Sequence, residues 1–388
     1  MVFDIGQSLS IREDDMIGIE SQELAAIEQP RHIPSYGEYL VIRSVEIKNF
    51  RCFKHIEIPD LRRFTILTGA NGSGKTAFLE ALFVAGGASP TIYLNAAALR
   101  GTEMTFSGTS PKAALIKIFE DFFHQFDSSI PMEISFSDKD KDRRILIVSA
   151  QQPGTLSLPF DSKTIETVSS PELSFKWKTP KGEFSQHIDV TDKALRLPSS
   201  SDAFPMVMLN NATSGGASEH ADRYSLLSTK SKEGSVVRAI NRLFPQVQKI
   251  EVLATAGAPS LYATVSGVNR KLPLNLLSAG ISKLVGILLA IGSSQFGAIL
   301  IDEIENGLYY KQFAGAWSAI SEYAIESNTQ VIFTTHSKEF LDAIAPIARK
   351  DSNNYCLIRS EKVNGECALT PFSGKEFVAA MENKFDPR

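Results

Sequence analysis

The chain has 388 residues, more than one hydrophobic core usually holds, so a large domain with an insertion, or two lobes, is expected. An apolar content of 43% and a charged content of 22% exclude a globally disordered chain. A formal net charge of −4 excludes a polycation, so any nucleic-acid contact must come from a local patch.

In chain order, residues 1–38 read as an extension, with "IREDDMIGIESQELAAIEQP" forming one acidic amphipathic helix that ends near Pro30 and Pro34. The opening "MVFDIGQSLSIREDD" lacks the basic start and apolar run of a signal peptide. From Tyr39, "YLVIRSVEIKNF" and "FKHIEIP" read as strands, and "FTILTG" as a short continuous apolar strand of the buried type. "KTAFLEALFVA" has helical periodicity, with Phe78, Leu79, Leu82 and Phe83 on one face.

Residues 101–233 differ in texture. Polar runs such as "SDKDKDRR" separate short candidate strands ("RILIVSA", "LSFKWK", "HIDV", "PMVMLN"), and "PKAALIKIFEDFFHQF" stands out as a helix. The stretch reads as an inserted lobe without long coiled-coil arms. From about Gly234, "SVVRAINRLF", "ISKLVGILLAIGS" and "YKQFAGAWSAISEYAIES" read as helices. "KIEVLAT" and "LYATVSG" read as strands, and "GAILID" and "QVIFTTHS" as buried strands. Buried strands alternating with helices predict an α/β fold with a largely parallel sheet covered on both faces. The apolar run "LVGILLAIG" is too short to span a bilayer, so no membrane partner is expected. Cys52, Cys356 and Cys367 form no CxxC pair, which supports neither a zinc site nor a disulfide framework and suits a cytoplasmic location.

"GANGSGKT" is a full match to G-x-x-x-x-G-K-[ST]. In such a loop the backbone N–H groups of Gly69, Ala70, Asn71, Gly72, Ser73, Gly74 and the following Lys75, Thr76 and Ala77 converge on phosphate oxygens at a positive helix N-terminus. Lys75 reaches the β- and γ-phosphates and Thr76 offers its hydroxyl to Mg²⁺. ATP with Mg²⁺ is therefore the expected ligand. "AILIDEIENG" ends an apolar strand in two carboxylates: Asp302 suits the Mg²⁺ shell, and Glu303 suits a general base for the attacking water. His336, after the strand "VIFTTHS", is a candidate hydrogen-bond partner of a γ-phosphate.

These motifs resemble the ATP-binding-cassette type of ATPase head, in the flavour of the RecF, SMC and OLD ("overcoming lysogenisation defect") proteins grouped with the AAA-family ATPases. "VEIKNFRCFKHIEI" is similar to the opening strands of RecF-like heads, "IDEIENGL" to the Walker-B segment of the OLD-like subgroup, and "TTHS" to its switch-histidine segment. The resemblance implies a mainly parallel sheet flanked by helices, an antiparallel β subdomain and an inserted α+β lobe. It divides the chain into 1–38 (extension), 39–100 (first part of the head), 101–233 (insert) and 234–388 (second part of the head). It further implies that Ser278 and Gly280 in "LLSAGISKL" are a signature motif gripping the nucleotide of an opposite protomer in a homodimer or higher homo-oligomer. Taken alone, "SAG" is more often a plain helix N-cap; its order and spacing before Asp302 favour the signature reading. Three departures stand out. No glutamine follows the Walker-A helix, where "YLNAAALRG" offers Asn95 or Arg100 instead; the signature carries alanine for its first glycine; and Tyr309 stands where relatives often carry histidine.

Too few residues follow His336 for the Toprim nuclease domain of OLD proteins, and "DKD" at 138–140 reads as a solvated loop, so the effector is expected on a separate protein. The resemblance to ATPase subunits of prokaryotic anti-phage systems, the PARIS ATPase among them, implies a switch or scaffold that controls such an effector, a nuclease of Toprim or other type. The alternative is a RecF-like DNA-binding repair ATPase, for which Lys48, Arg51, Lys54, Arg62 and Arg63 would supply a phosphate-tracking face. The simpler reading of those residues is solvated charge alternating with core positions, with Arg51 touching the nucleotide.

Overall fold

The computed structural model describes residues 42–101, 117–138, 143–151, 172–187, 189–190, 195–196, 202–210, 216–255 and 257–387. The expected N-terminal extension lies outside the described residues. So do residues 111–116, the start of "PKAALIKIFEDFFHQF"; of the described part, residues 117–120 are α-helical and His124–Phe126 form a short 3-10 turn.

β1 (Ser44–Phe50) and β2 (Phe53–Ile58) form a hairpin, followed by β3 (Phe64–Gly69), α1 (Lys75–Gly86) and α2 (Thr91–Leu99). The stretch expected as an inserted lobe holds β4 (Met132–Ser137), β5 (Arg143–Gln151), β6 (Glu172–Thr179), β7 (Gly182–His187), the short pair β8 (Asp189–Val190) and β9 (Leu195–Arg196), β10 (Met206–Leu209) and α3 (Ala217–Thr229). Its strands β4 to β7 extend the first hairpin into one antiparallel sheet of order β2-β1-β4-β5-β6-β7, and β10 joins the parallel sheet.

The remainder comprises α4 (Glu233–Leu243), β11 (Val247–Thr255), β12 (Ala258–Val265), β13 (Leu272–Pro273), α5 (Ala279–Ser293), β14 (Ala298–Ile301), α6 (Phe313–Glu326), β15 (Gln330–Thr334), α7 (Lys338–Lys350), β16 (Tyr355–Val363), β17 (Glu366–Ser373) and α8 (Gly374–Glu382). The second six-stranded sheet has the order β10-β14-β15-β3-β16-β17 and is parallel except for its β16–β17 hairpin.

β3, β14 and β15 are buried at every residue, as their unbroken apolar runs require of strands covered on both faces. Alternate residues enter different cores. Phe64, Ile66, Ile299, Ile301, Val331 and Phe333 pack with α3 to α8. Leu67, Ala298, Leu300 and Ile332 pack with α1, α2 and the antiparallel sheet. The parallel sheet is thus the middle layer, and the loops after its parallel strands open at one edge.

Candidate nucleotide site

At that edge the chain leaves β3 through Gly69, turns, and enters α1 from Gly74. Gly69 has φ 134°, and a Cβ there would stand 1.9 Å from the Ser360 carbonyl of β16. Gly74 has φ 108°, and a Cβ would press on Cys52 Sγ and the Phe53 ring at 2.9 Å. Only glycine combines such dihedrals with so close an approach. The Ser360 hydroxyl donates to the Ser73 carbonyl at 2.6 Å and ties the loop to β16. The N–H groups of the first turn of α1 have no intrahelical acceptor, an arrangement that suits an anion. Lys75 is 5% exposed; its Nζ donates to the Gly69 and Ala70 carbonyls, each at 2.8 Å. Burial pushes its ammonium below the ordinary lysine range, against the opposing pull of Asp302, Glu303 and Glu305.

β14 delivers the acidic pair beside this loop. Thr76 Oγ1 donates to Asp302 Oδ2 at 2.9 Å, and Thr334 Oγ1, from the end of β15, donates to Asp302 Oδ1 at 2.6 Å. Glu303 has φ 51°, an uncommon region for a residue with a side chain, and its N–H donates to Thr334 Oγ1 at 2.7 Å. This turn aims the Glu303 carboxylate at the cleft, where Oε1 lies 3.9 Å from His336 Nε2. Glu305 Oε1 accepts from the backbone N–H of His336 at 2.7 Å and of Ser337 at 3.2 Å, pinning the turn that carries the histidine.

A cleft of about 810 Å³ runs over these groups. It is lined by Asn71, Gly72, Gly74, Lys75, Thr76 and Ala77 of the loop, by Asp302, Glu303 and His336, and by Arg51, Arg100, Phe126 and Asn210 among others. Gly69, Ala70 and Ser73 shape the loop without lining the cleft. Arg51 stands on the cleft wall as expected, but its guanidinium is already engaged: Nε donates to Glu80 Oε2 at 3.2 Å, Nη1 to the Asp121 carbonyl at 2.8 Å, and it lies 4.0 Å over the Phe122 ring. Glu80 is fully buried and also accepts from Arg100. Of the two residues proposed for the missing glutamine, Asn95 is exposed and does not line the cleft, and Arg100 is committed to Glu80. One residue that sequence reasoning missed is Asn210. It follows β10, which pairs with β14, and the Asp302 N–H donates to the carbonyl of the preceding Leu209 at 2.8 Å. The signal for it was present: a short apolar strand ending in an amide. Of the other basic candidates, Lys48 lies 2.8 Å from Glu46 and 3.3 Å from Glu133, and Arg62 is paired to Asp60.

Ser278 and Gly280 stand outside the cleft lining of their own chain. Ser278 is the N-cap of α5, its side chain accepting from the Ile281 N–H at 3.2 Å. Lys283, one turn further, was not anticipated. Its Nζ donates to the Glu303 carbonyl at 2.7 Å, and burial lowers its pKa to about 8 against the pull of Glu305, Glu303 and Asp302.

The sequence profile of the family described as "AAA domain, putative AbiEii toxin, Type IV TA system" matches residues 64–342, from the first residue of β3 into α7. The chain belongs to this family of AAA domains. An "ATP/GTP phosphatase" of Helicobacter pylori is 22% identical over 335 residues, covering 80% of this chain and 89% of the relative. The "DNA replication and repair protein RecF" of Nitrosococcus oceani is 51% identical over 45 residues, 12% of each chain. Among solved structures, the SMC head bound to the C-winged helix domain of ScpA is 16% identical, covering 88% of this chain and 99% of that one at a TM-score of 0.48. The SMC head domain from Thermotoga maritima is 17% identical, covering 86% and 99% at a TM-score of 0.42.

The AAA site has the donors a hard cation needs. The Thr76 hydroxyl and Asp302 carboxylate meet at the phosphate loop, and among the described residues no group of three or more His, Cys, Asp or Glu stands together as a metal cage. A sparse oxygen set of this kind suits Mg²⁺, which keeps waters and binds through one or two protein oxygens plus phosphates. No helix among the described residues is long and apolar enough to cross a membrane.

Proposed function

We propose that this chain binds ATP with Mg²⁺ in the cleft, hydrolyses it, and uses the cycle as a switch that controls a separate effector protein, a nuclease, in prokaryotic anti-phage defence. The observation that carries the reading is the hydrogen bond between Thr76 and Asp302, because it joins the phosphate loop to the acidic strand end within one cleft. The backbone of Asn71 to Ala77 and the Lys75 ammonium hold the phosphates. Thr76 and Asp302 hold Mg²⁺, which when bound neutralises charge on the phosphate oxygens. Glu303 accepts a proton from the attacking water, and His336, 3.9 Å from it, hydrogen-bonds the terminal phosphate. The position of Ser278 and Gly280 outside their own cleft supports a composite site in a homo-oligomer, where they reach the nucleotide of a second copy. A switch of this kind works by the differential affinity of ATP for open and closed assemblies. The AAA family and the phosphatase name of the Helicobacter pylori relative support the hydrolysis half of the reading.

A second reading, a RecF-like DNA-binding ATPase in repair, is favoured by the 45-residue match to RecF and disfavoured by the pairing of Lys48, Arg51 and Arg62 with carboxylates. Purification of the native protein with and without Mg·ATP separates the two. A stoichiometric protein partner that binds or leaves according to nucleotide supports the switch. Retention of DNA alone, lost steeply with salt, supports repair.

A further inference from the structure

The start of α5 is fastened to the acidic loop of its own chain at two places. The Gly280 position faces the Gly307 carbonyl so closely that a Cβ would stand 3.0 Å from it. Lys283 Nζ donates to the Glu303 carbonyl at 2.7 Å, and its stem passes within 3.9 Å of the position a Gly307 Cβ would take. In the loop so held Glu303 lies at φ 51°, an uncommon region for a residue with a side chain, and Gly307 turns the chain at φ 78°. Its far side is pinned by Glu305 to the His336 turn. The peptide whose carbonyl Lys283 grips belongs to Glu303 itself, so one contact joins α5 to the residue that faces the cleft.

We propose that Lys283 is a positioning residue that couples the two composite sites of an oligomer. Engagement of Ser278 by the nucleotide of a second copy moves the first turn of α5, and Lys283 passes that movement to Glu303 of its own chain. The proposal rests on the composite-site reading above. Hydrolysis in one cleft then depends on occupancy of the other, by a coupling of the size usual between linked sites, about 5–150-fold. The link is a single charge-assisted hydrogen bond to a main-chain carbonyl, which an arginine can replace and a methionine of similar length cannot.

The test compares wild type, Lys283→Met and Lys283→Arg for ATP affinity by calorimetry and for phosphate release as a function of ATP concentration, with Ser278→Arg as a separate control. In wild type, turnover is expected to be cooperative in ATP. Lys283→Met is expected to keep its ATP affinity within about twofold, lose about tenfold in kcat and lose the cooperativity. Lys283→Arg is expected to recover most of both. Wild-type kcat and cooperativity in Lys283→Met would overturn the coupling, as would equal losses in the methionine and arginine variants, which mark a packing role. Full turnover in Ser278→Arg sinks the composite site itself. Blocked turnover there, together with an unaffected Lys283→Met, sinks the coupling alone.

Discussion

The two six-stranded sheets divide the work of the molecule. In the parallel sheet, β3, β10, β14 and β15 run the same way, so the phosphate loop, Asn210, Asp302 and the turn to His336 all emerge at one edge. Ligands in open parallel sheets lie beyond the carboxyl ends of the strands for this reason. In the antiparallel sheet neighbouring strands point opposite ways, so no common edge gathers their ends. It reaches the cleft through Arg51 and Cys52 at its first hairpin turn, and Arg51 is held there by buried Glu80. Its interior is an aromatic core, with Trp177 fully buried between the rings of Phe175 and Phe184. Strand direction, more than composition, separates the chemical sheet from the packing one.

Glu303→Gln probes the chemical edge most sharply. The amide still hydrogen-bonds water but takes no proton, so hydrolysis is expected to fall by roughly 10²–10⁴-fold with ATP binding intact. Closed, nucleotide-bound assemblies are expected to accumulate in light scattering. A wild-type rate would remove Glu303 from its role, and lost hydrolysis with unchanged assembly would sink the switch while leaving the chemistry standing.

Trp177→Ala addresses the other sheet. Truncating a fully buried tryptophan costs about 3–5 kcal/mol, read from denaturant unfolding, and the folded variant is expected to bind ATP as wild type does. A loss of affinity in the folded protein would show that the packing sheet shapes the cleft directly.

Lys75→Ala returns to the parallel edge. One ammonium-to-phosphate bond contributes roughly 1.5–3 kcal/mol, so ATP affinity is expected to drop about 10- to 10²-fold in calorimetry. Unchanged affinity would place the nucleotide elsewhere.

Arg51→Ala tests the boundary between the sheets. It leaves Glu80 with Arg100 as its remaining cationic partner, so a stability loss of about 1–3 kcal/mol is expected, with ATP affinity changed by less than about tenfold. A larger loss of affinity than in Lys75→Ala would make the antiparallel hairpin a principal part of the site.

The readable parts of the chain were those in which one local pattern met one physical demand. "FTILTG" became β3 residue for residue, because an unbroken apolar run can only be buried on both faces. "GANGSGKT" specified its own turn, because its glycines take dihedrals that other residues avoid. The carboxylates Asp302 and Glu303 were legible as a strand end beside that turn. The elements that escaped notice included α2, α3, α7, the β16–β17 hairpin and α8, whose short or mixed patterns gain their meaning only from the sheet they join or cover. Of the strands at 132–187, β5 and β6 were visible and β4 and β7 were not, and the pairing was hidden, since β4 pairs with β1 from a distant part of the chain.

Sequence alone therefore determined the phosphate loop, the acidic strand end and the α/β character, because each follows from backbone sterics or burial within a dozen residues. Tertiary structure alone decided which side chains meet. Thr76 reaches Asp302, Lys283 reaches the Glu303 carbonyl, Arg51 turns to Glu80, and Asn210 takes the place by the cleft that Asn95 does not. These contacts join residues far apart in the chain. They depend on strand order and on how close two backbones come, and neither quantity is written in any local stretch of sequence.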